Sequence, residues 1–455
     1  MAVNMEIFHQ FLGQIAHLGE RAEHVDLPDE KRVALAKEIF HQNIKAEQAG
    51  DLESCMHCGL CAEACHFRVG TGDPRYTPAR KFELARRVYR REIGPFRWLY
   101  RLVTREITID DLMEAQELVF DSCTTCGRCT LICPMGINVA GLVTTTRHAL
   151  ANAGLIPDDL AAVEQEQGSR GTVFGAGAEH LRKALERLAA QGLEAPLDKE
   201  RADYLVLTSV VDLLLFNDQL ASTVKLFNRL GVDWTFRSNA YEGANFGYLA
   251  GCGEVQRKAT LRVIEEAVAI GAKAVIVPEC GHAYPALRWE GADLYGKPLP
   301  FDVYAISEFL GLLVQQGELE LDEALNGKVA TYHDPCKVGR HSGVLDEPRA
   351  VLRKLGADLR EMPNHGLLNW CCGGGAGLFV INRTVPLRRA AFEIKKQEVE
   401  STEAEMVVMA CGSCRLNFIK GKDEMGLNGE IVSLVALVGE HLVRKSEPVA
   451  SGREE

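Results

Sequence analysis

Two hydrophobic rhythms divide the chain. Over the first 200 or so residues apolar positions recur at three- and four-residue steps, the period of an amphipathic helix. Met5, Phe8, Leu12, Ile15 and Leu18 form one such stripe inside a helical segment spanning 1–50. From about residue 203 onward, short β-rich runs ("DYLVLTSVVD", "AKAVIVPEC", "KVATYHDPC", "AEMVVMAC") alternate with longer helical stretches. That order implies α/β halves with mostly parallel sheets, whose strand-end loops collect site residues.

This second region repeats itself. One copy runs through "LGVDWTF", "EGANFGYLAGCG" and "ECGHAYPAL"; the other runs through "LGADLRE", "GLLNWCCGGGAG" and "ACGSCRLNF". Between the two rhythms, residues 152–202 hold a Gly-rich break and an amphipathic helix and read as a linker. "GTVFGAG" within it lacks the preceding strand and the glycine spacing of a nucleotide fingerprint.

Length and composition limit the function. At 455 residues and 47% hydrophobic the chain can bury more than one core, and roughly 100–200 residues per domain gives two to four domains. A formal net charge of -12 argues against a general nucleic-acid binder, which needs a basic surface. No leader-like N-terminus and no apolar run near the roughly 18 residues of a spanning helix are visible, so a cytoplasmic location is expected. There, 15 cysteines point to metal or cluster ligation rather than disulfides.

The first cysteines fall in "CMHCGLCAEAC" (Cys55, Cys58, Cys61, Cys65) and "CTTCGRCTLICP" (Cys123, Cys126, Cys129, Cys133). Both have the C-x2-C-x2-C-x3-C spacing, in which three thiolates wrap one face of a cubane while the fourth serves the other cluster. One [4Fe-4S] set is therefore Cys55, Cys58, Cys61 and Cys133; the other is Cys123, Cys126, Cys129 and Cys65. Zinc, with four ligands per site, does not call for eight cysteines in two interleaved sets. Residues 66–122 separate the motifs. Between Arg75 and Arg105 this insert carries ten Arg or Lys against Glu83 and Glu92, with Phe96, Trp98 and Tyr100 among them. Phe82, Ala85, Val88 and Tyr89 mark a helical face. Arg with Trp and Tyr suits a membrane interface or a membrane subunit; the alternative is a solvated face shielding the clusters.

In the second copy the strand-end loops carry Cys336, Cys371 with Cys372, and Cys411 with Cys414. Five thiols from three loops exceed what tetrahedral zinc uses, and Gly373, Gly374 and Gly375 let adjacent cysteines bend toward one centre. A metal cluster is the expected occupant.

The pattern Cys336, Cys371-Cys372-Gly373, Cys411-x-x-Cys414, with "YHDPCKVGR", "DEPR" and "NWCCGGGAG", resembles the CCG domain of heterodisulfide reductases. Behind a two-cluster ferredoxin module it resembles their fused membrane-complex subunits, in particular that of the sulfite-reduction-associated complex and its cytochrome c3-linked relatives. The resemblance covers residues 51 to about 420. It implies a non-cubane [4Fe-4S] cluster on the five cysteines, reactive toward disulfides and thiols, beside two cubane [4Fe-4S] clusters. Wider relatives are the iron-sulfur subunits of glycolate, lactate and glycerol-3-phosphate oxidoreductases. The first copy departs from a two-site pattern: Asn245 and Phe246 stand where the cysteine pair would be, Cys280 matches Cys411, Ala283 matches Cys414, and Val211 matches Cys336. One intact site is expected, so only one sulfur of a disulfide can meet such a cluster and reduction is stepwise.

The expected architecture is thus α+β and multidomain: a helical segment 1–50, a helical two-[4Fe-4S] ferredoxin domain 51–151, a linker 152–202, a degenerate CCG half 203–326, an intact CCG half 327–445, and a tail 446–455 expected to be disordered. His333 and Asp334 precede Cys336 and His282 follows Cys280; an imidazole there, His333 or His282, suits protonation of a departing thiolate, and the alternative is that these residues brace loops. Cys252 and Cys280 read as buried thiols or remnants of a second site. "DEPR" (Asp346 to Arg349) starts the helix after the Cys336 loop. The expected function is reduction of a disulfide or polysulfide, or thiol oxidation, in a hetero-oligomeric complex on the inner face of the cell membrane. Its expected partners are a cytochrome b or quinone-interacting subunit and a small thiol or sulfur-carrier protein. The alternatives are an electron relay from a flavoprotein dehydrogenase to quinone, and a zinc- or cluster-based sensor. The second lacks any signalling module.

Overall fold

The computed structural model describes residues 3–323 and 325–443; the tail 446–455 lies outside the described residues. Two four-stranded, all-parallel sheets dominate the second half of the chain. The first contains β1 (Tyr204–Val206), β2 (Trp234–Thr235), β3 (Ala274–Val277) and β4 (Asp302–Ala305). The second contains β5 (Val329–His333), β6 (Asp358–Leu359), β7 (Met406–Met409) and β8 (Glu430–Ser433). Their orders are β2-β1-β3-β4 and β6-β5-β7-β8. β3 ("AVIV") and β7 ("MVVM") are buried along their whole length, as unbroken apolar runs must be when helices cover both faces. The edge strands β4 and β8 are only partly buried and leave little mark on the sequence, since a short half-polar run carries little period.

The two sheets join through pairs of helices. Ile306–Gln316 packs against Asp346–Lys354, and Asn217–Leu230 against Leu434–Glu440. Both contacts are close because a glycine lies in each: a Cβ on Gly311 would stand 2.2 Å from Glu347, and one on Gly439 would stand 2.3 Å from Ser222. Arg415 crosses the same seam to Asp218, at 3.1 and 2.7 Å.

The helical part differs from expectation in two places. In Met5–Ile15 the buried face is Phe8, Phe11 and Ile15, with Leu12 only partly covered. The stripe is rotated because the helix packs beside Phe174, whose ring meets Phe11 edge-on at 5.3 Å. Residues 152–202 are not a simple linker. Asp158–Arg170 buries Leu160, Ala161, Ala162 and Val163 against Leu18–Arg21 and the helices Phe246–Ala250 and Gly253–Ala269. Its Ala-rich face looks featureless in sequence because small side chains suit close helix contact more than they raise hydropathy.

Candidate metal centres

All 15 cysteines are free thiols. Cys55, Cys58, Cys61 and Cys133 ring a cavity of about 260 Å³ whose other walls include Phe82, Met135 and Ile137. Cys65, Cys123, Cys126 and Cys129 ring a second, narrower one. Each cavity takes three cysteines from one motif and the last from the other, because Gly59 (φ 85°) and Gly127 (φ 77°) curl each loop left-handed before a one-turn helix carries the chain away. Rings of four cysteine sulfurs suit iron-sulfur ligation rather than hard cations, which take oxygen donors. Of the insert's expected face, Phe82, Ala85, Val88 and Tyr89 are all buried.

Lys81 is buried beside the second ring. Its Nζ donates to the Ser122 carbonyl and lies 3.7 Å from Cys65 Sγ. Burial alone would pull its pKa down, but the attraction of Cys65, Cys123, Cys129 and Cys126 leaves it raised. The sequence offered no signal for it beyond one basic residue in a basic run.

The five cysteines of the second sheet converge. Cys371, Cys372, Cys411 and Cys414 are buried and Cys336 is partly exposed. Cys372 and Cys414 sulfurs lie 3.4 Å apart, and a ring nitrogen of His333 falls with both inside a 4.8 Å group. The register explains this: β5 lies beside β7 with His333 opposite Met409, so the loops after both strands open at one edge. Neither nitrogen of His333 has a nitrogen or oxygen partner, and burial lowers its pKa. The thiols share hydrogen bonds, which hold Cys372 low through Cys371 and push Cys414 up through Cys372. Neighbouring thiols cannot all ionise without a counter-charge, and a positively charged metal centre is what such a donor set fits.

Asp334 braces its loop. Its carboxylate accepts from Arg349 at 2.7 and 3.0 Å and from Gly366 N–H at 2.7 Å, while its carbonyl accepts from Asn369. "DEPR" opens the helix Asp346–Lys354 and supplies that Arg349. His282 and Cys280 lie outside the five-thiol group, 3.6 Å from each other, with burial lowering His282 to about 4. Cys252 caps the helix Gly253–Ala269, and burial pushes it up to about 11.

The second ring and the five-cysteine group touch. Cys126 packs against the buried side-chain cluster that contains Cys371 and Cys372, and the neighbouring Cys371 thiol lowers Cys126 while Cys126 raises Cys371. Arginines are exchanged across this seam. Arg340 donates to the Cys126 carbonyl at 2.8 Å, and Arg128 donates to the Leu368 carbonyl at 2.9 Å with its guanidinium 3.5 Å from the Trp370 ring centre. Gly127 is required here twice over: besides its positive φ, a Cβ would stand 2.7 Å from His341 Nε2.

Residues 51–137 match the family described as 4Fe-4S dicluster domain, and residues 330–419 match the one described as Cysteine-rich domain. The "Hdr-like menaquinol oxidoreductase iron-sulfur subunit 2" of Archaeoglobus fulgidus is 30% identical over 72% of this chain and 67% of its own length. A subunit of the dihydromethanophenazine:CoB--CoM heterodisulfide reductase of Methanosarcina mazei is 28% identical over 89% of this chain and 97% of its own. The "EtfAB:quinone oxidoreductase" of Syntrophomonas wolfei is 25% identical over 80% of this chain and 54% of its own. With both cysteine groups lying inside these matches, the chain belongs to the heterodisulfide-reductase-like family of iron-sulfur electron-transfer oxidoreductase subunits.

Proposed function

We propose that this subunit reduces a disulfide or polysulfide, or oxidises the corresponding thiols, at a non-cubane [4Fe-4S] cluster held by Cys336, Cys371, Cys372, Cys411 and Cys414. Two cubane [4Fe-4S] clusters, on Cys55, Cys58, Cys61 and Cys133 and on Cys65, Cys123, Cys126 and Cys129, connect it to a partner. When bound, the clusters supply one-electron steps and, at the five-cysteine group, iron within reach of a sulfur. The observation that carries this reading is the packing of Cys126 against the side-chain cluster that contains Cys371 and Cys372: the relay motif ends against the reactive group rather than at a surface.

This chain's residues position and protonate. His333, whose pKa burial lowers, stands beside Cys372 and Cys414 with neither ring nitrogen engaged by nitrogen or oxygen, which suits proton delivery to a thiolate. Arg349 and Asp334 brace the Cys336 loop. We read the two sheets as copies of one CCG-type unit, supported by their common strand order, with the first copy having lost its ligands.

For the partner we propose a membrane cytochrome b or quinone-interacting subunit in a hetero-oligomeric complex, with the chain peripheral on the inner face. No helix among the described residues is long and apolar enough to cross a membrane. Phe96, Trp98, Leu99, Leu102 and Val103 are nonetheless exposed around the helix Arg97–Val103, among the arginines of the insert.

The test is electron paramagnetic resonance of the anaerobic, oxidised protein before and after candidate thiols. A new signal with thiol, absent in Cys372→Ser, is expected. A silent spectrum at full iron content favours the second reading, a relay from a flavoprotein dehydrogenase to quinone. What favours that reading is the exposure of Cys58 and its neighbour Met56, 74% exposed, at the first ring.

A further inference from the structure

Between the two sheets lies a cavity of about 50 Å³ that the cluster reading does not use. Its position is informative. Val211, Phe246 and Cys280, which stand in the first copy where the second has ligand cysteines, all line it. From the other side come Gly374 and Gly377, in the turn after Cys371 and Cys372, and Gly412 and Ser413, between Cys411 and Cys414. The separating wall is thin: a Cβ on Gly281 would stand 3.0 Å from Cys411 Sγ, and the Gly412 N–H donates to the Glu279 carbonyl. Loss of the first-copy ligands has therefore left a chamber facing the intact cysteine group.

The chemistry of the walls selects the occupant. Phe246 packs edge-on to Phe174 at 5.7 Å and to His282 at 5.9 Å, and Phe11 and Ile15 close the cavity from the N-terminal helix. Among the described residues no lysine or arginine lines it, so a phosphate or carboxylate would enter without a counter-charge. The Glu279 carboxylate is engaged by Val435 N–H and Gln219, which leaves no free anion for a cation. The polar groups that remain are the Cys280 thiol with the His282 ring 3.6 Å from it, which suit sulfur, and the neutral hydroxyls of Ser209 and Ser413. At roughly 10–15 Å³ per water-sized place, the space holds a chain of a few carbons.

We propose that this cavity seats the apolar group of a short-chain alkyl thiol or of its disulfide, with the sulfur directed at the five-cysteine group. The seating is reversible and involves no covalent bond. It rests on the disulfide reading above for its purpose, but not for its detection.

The test is anaerobic titration calorimetry of the cluster-loaded full chain with methanethiol and 1-butanethiol, paired with the paramagnetic signal. Ala244 lines the cavity, so Ala244→Leu, which fills it, is expected to weaken butanethiol binding about tenfold and to spare methanethiol, the scale of losing a well-packed apolar contact. Phe246→Leu, which enlarges it, is expected to shift preference to hexanethiol, and reads in the opposite direction if the first variant does not fold. Absence of binding heat, or a chain-length preference that neither variant moves, overturns the proposal. A chain-length preference that both variants move, without any thiol-induced signal, keeps the seat and removes the disulfide reading. A thiol-induced signal with an unmoved preference does the reverse.

Discussion

Arg147 donates to the carbonyl of Ala376 at 2.9 Å, joining the helix behind the second ferredoxin motif to the turn that carries Cys371 and Cys372. The same guanidinium reaches the Leu249 carbonyl at 2.8 Å and those of Val119 and Cys123. One buried cation thus ties the ferredoxin domain, the first sheet's helices and the cysteine turn. Burial lowers its pKa only to about 10, so it remains charged at neutral pH.

Arg147→Met should leave these four carbonyls without their donor. Charge-assisted hydrogen bonds are each worth about 1.5–3 kcal/mol, so a loss on the order of 3 kcal/mol is expected even after relaxation. A lowered urea midpoint with earlier proteolysis between the domains is the measurement; an unchanged midpoint would refute the tie.

Lys81→Met should lower the midpoint potential of the cluster proposed on Cys65, Cys123, Cys126 and Cys129 alone. Removing a buried cation beside Cys65 disfavours the added electron, by roughly 60 mV or more, the one-electron equivalent of a tenfold change. Potentiometric titration should find the cluster proposed on Cys55, Cys58, Cys61 and Cys133 unmoved and Lys81→Arg close to the parent.

Arg349→Met should remove the cluster proposed at the five-cysteine group while sparing those proposed on the two ferredoxin motifs. It strips a buried carboxylate, Asp334, of its partner, a break that costs about 3–5 kcal/mol, and it frees the Cys336 loop. Iron per chain should fall by the share of one cluster, and the thiol-induced signal should vanish.

Stability should fall as pH rises from about 5 to 9. Burial raises Glu242 to about 8 and both Asp212 and Glu279 to about 7. A raised carboxyl binds its proton more tightly when folded, so its contribution is full below about pH 4 and is lost as pH climbs through the folded value. Each group imposes at most about 1.4 kcal/mol per pH unit. Melting temperatures of Glu242→Gln should depend less on pH than the parent's over this window.

Trp98→Ser with Leu102→Ser should weaken adsorption to vesicles containing phosphatidylglycerol without changing iron content. These side chains are 65% and 77% exposed, and Arg97 beside them adds basic charge. Interfacial binding depends on both apolar insertion and basic charge. Co-sedimentation at low and high salt reads the two separately; equal binding by parent and variant would place the membrane contact elsewhere.

Much of the site was legible because iron-sulfur ligation is written in local spacing. Two residues between thiols set which sulfurs share a loop, and the left-handed glycines at 59 and 127 keep that geometry whatever surrounds it. The buried runs of β3 and β7 were equally plain, since a strand covered on both faces must be apolar throughout. Asp158–Arg170 was hidden because its packing depends on how small side chains meet neighbours remote in the chain. Arg147 was hidden because its four acceptors are backbone carbonyls, which leave no trace in side-chain pattern.

The sequence by itself determined the spacing of the cysteines within each motif and the parallel α/β character of the second half, both consequences of chemistry within a loop or a strand. Tertiary structure alone decided that Cys126 meets Cys371, that Lys81 lies beneath Cys65, and that Val211, Phe246 and Cys280 enclose a cavity facing Cys411. These relationships join segments tens to hundreds of residues apart, and only the packing of two sheets and a helical domain around shared cores brings such segments within a few ångströms.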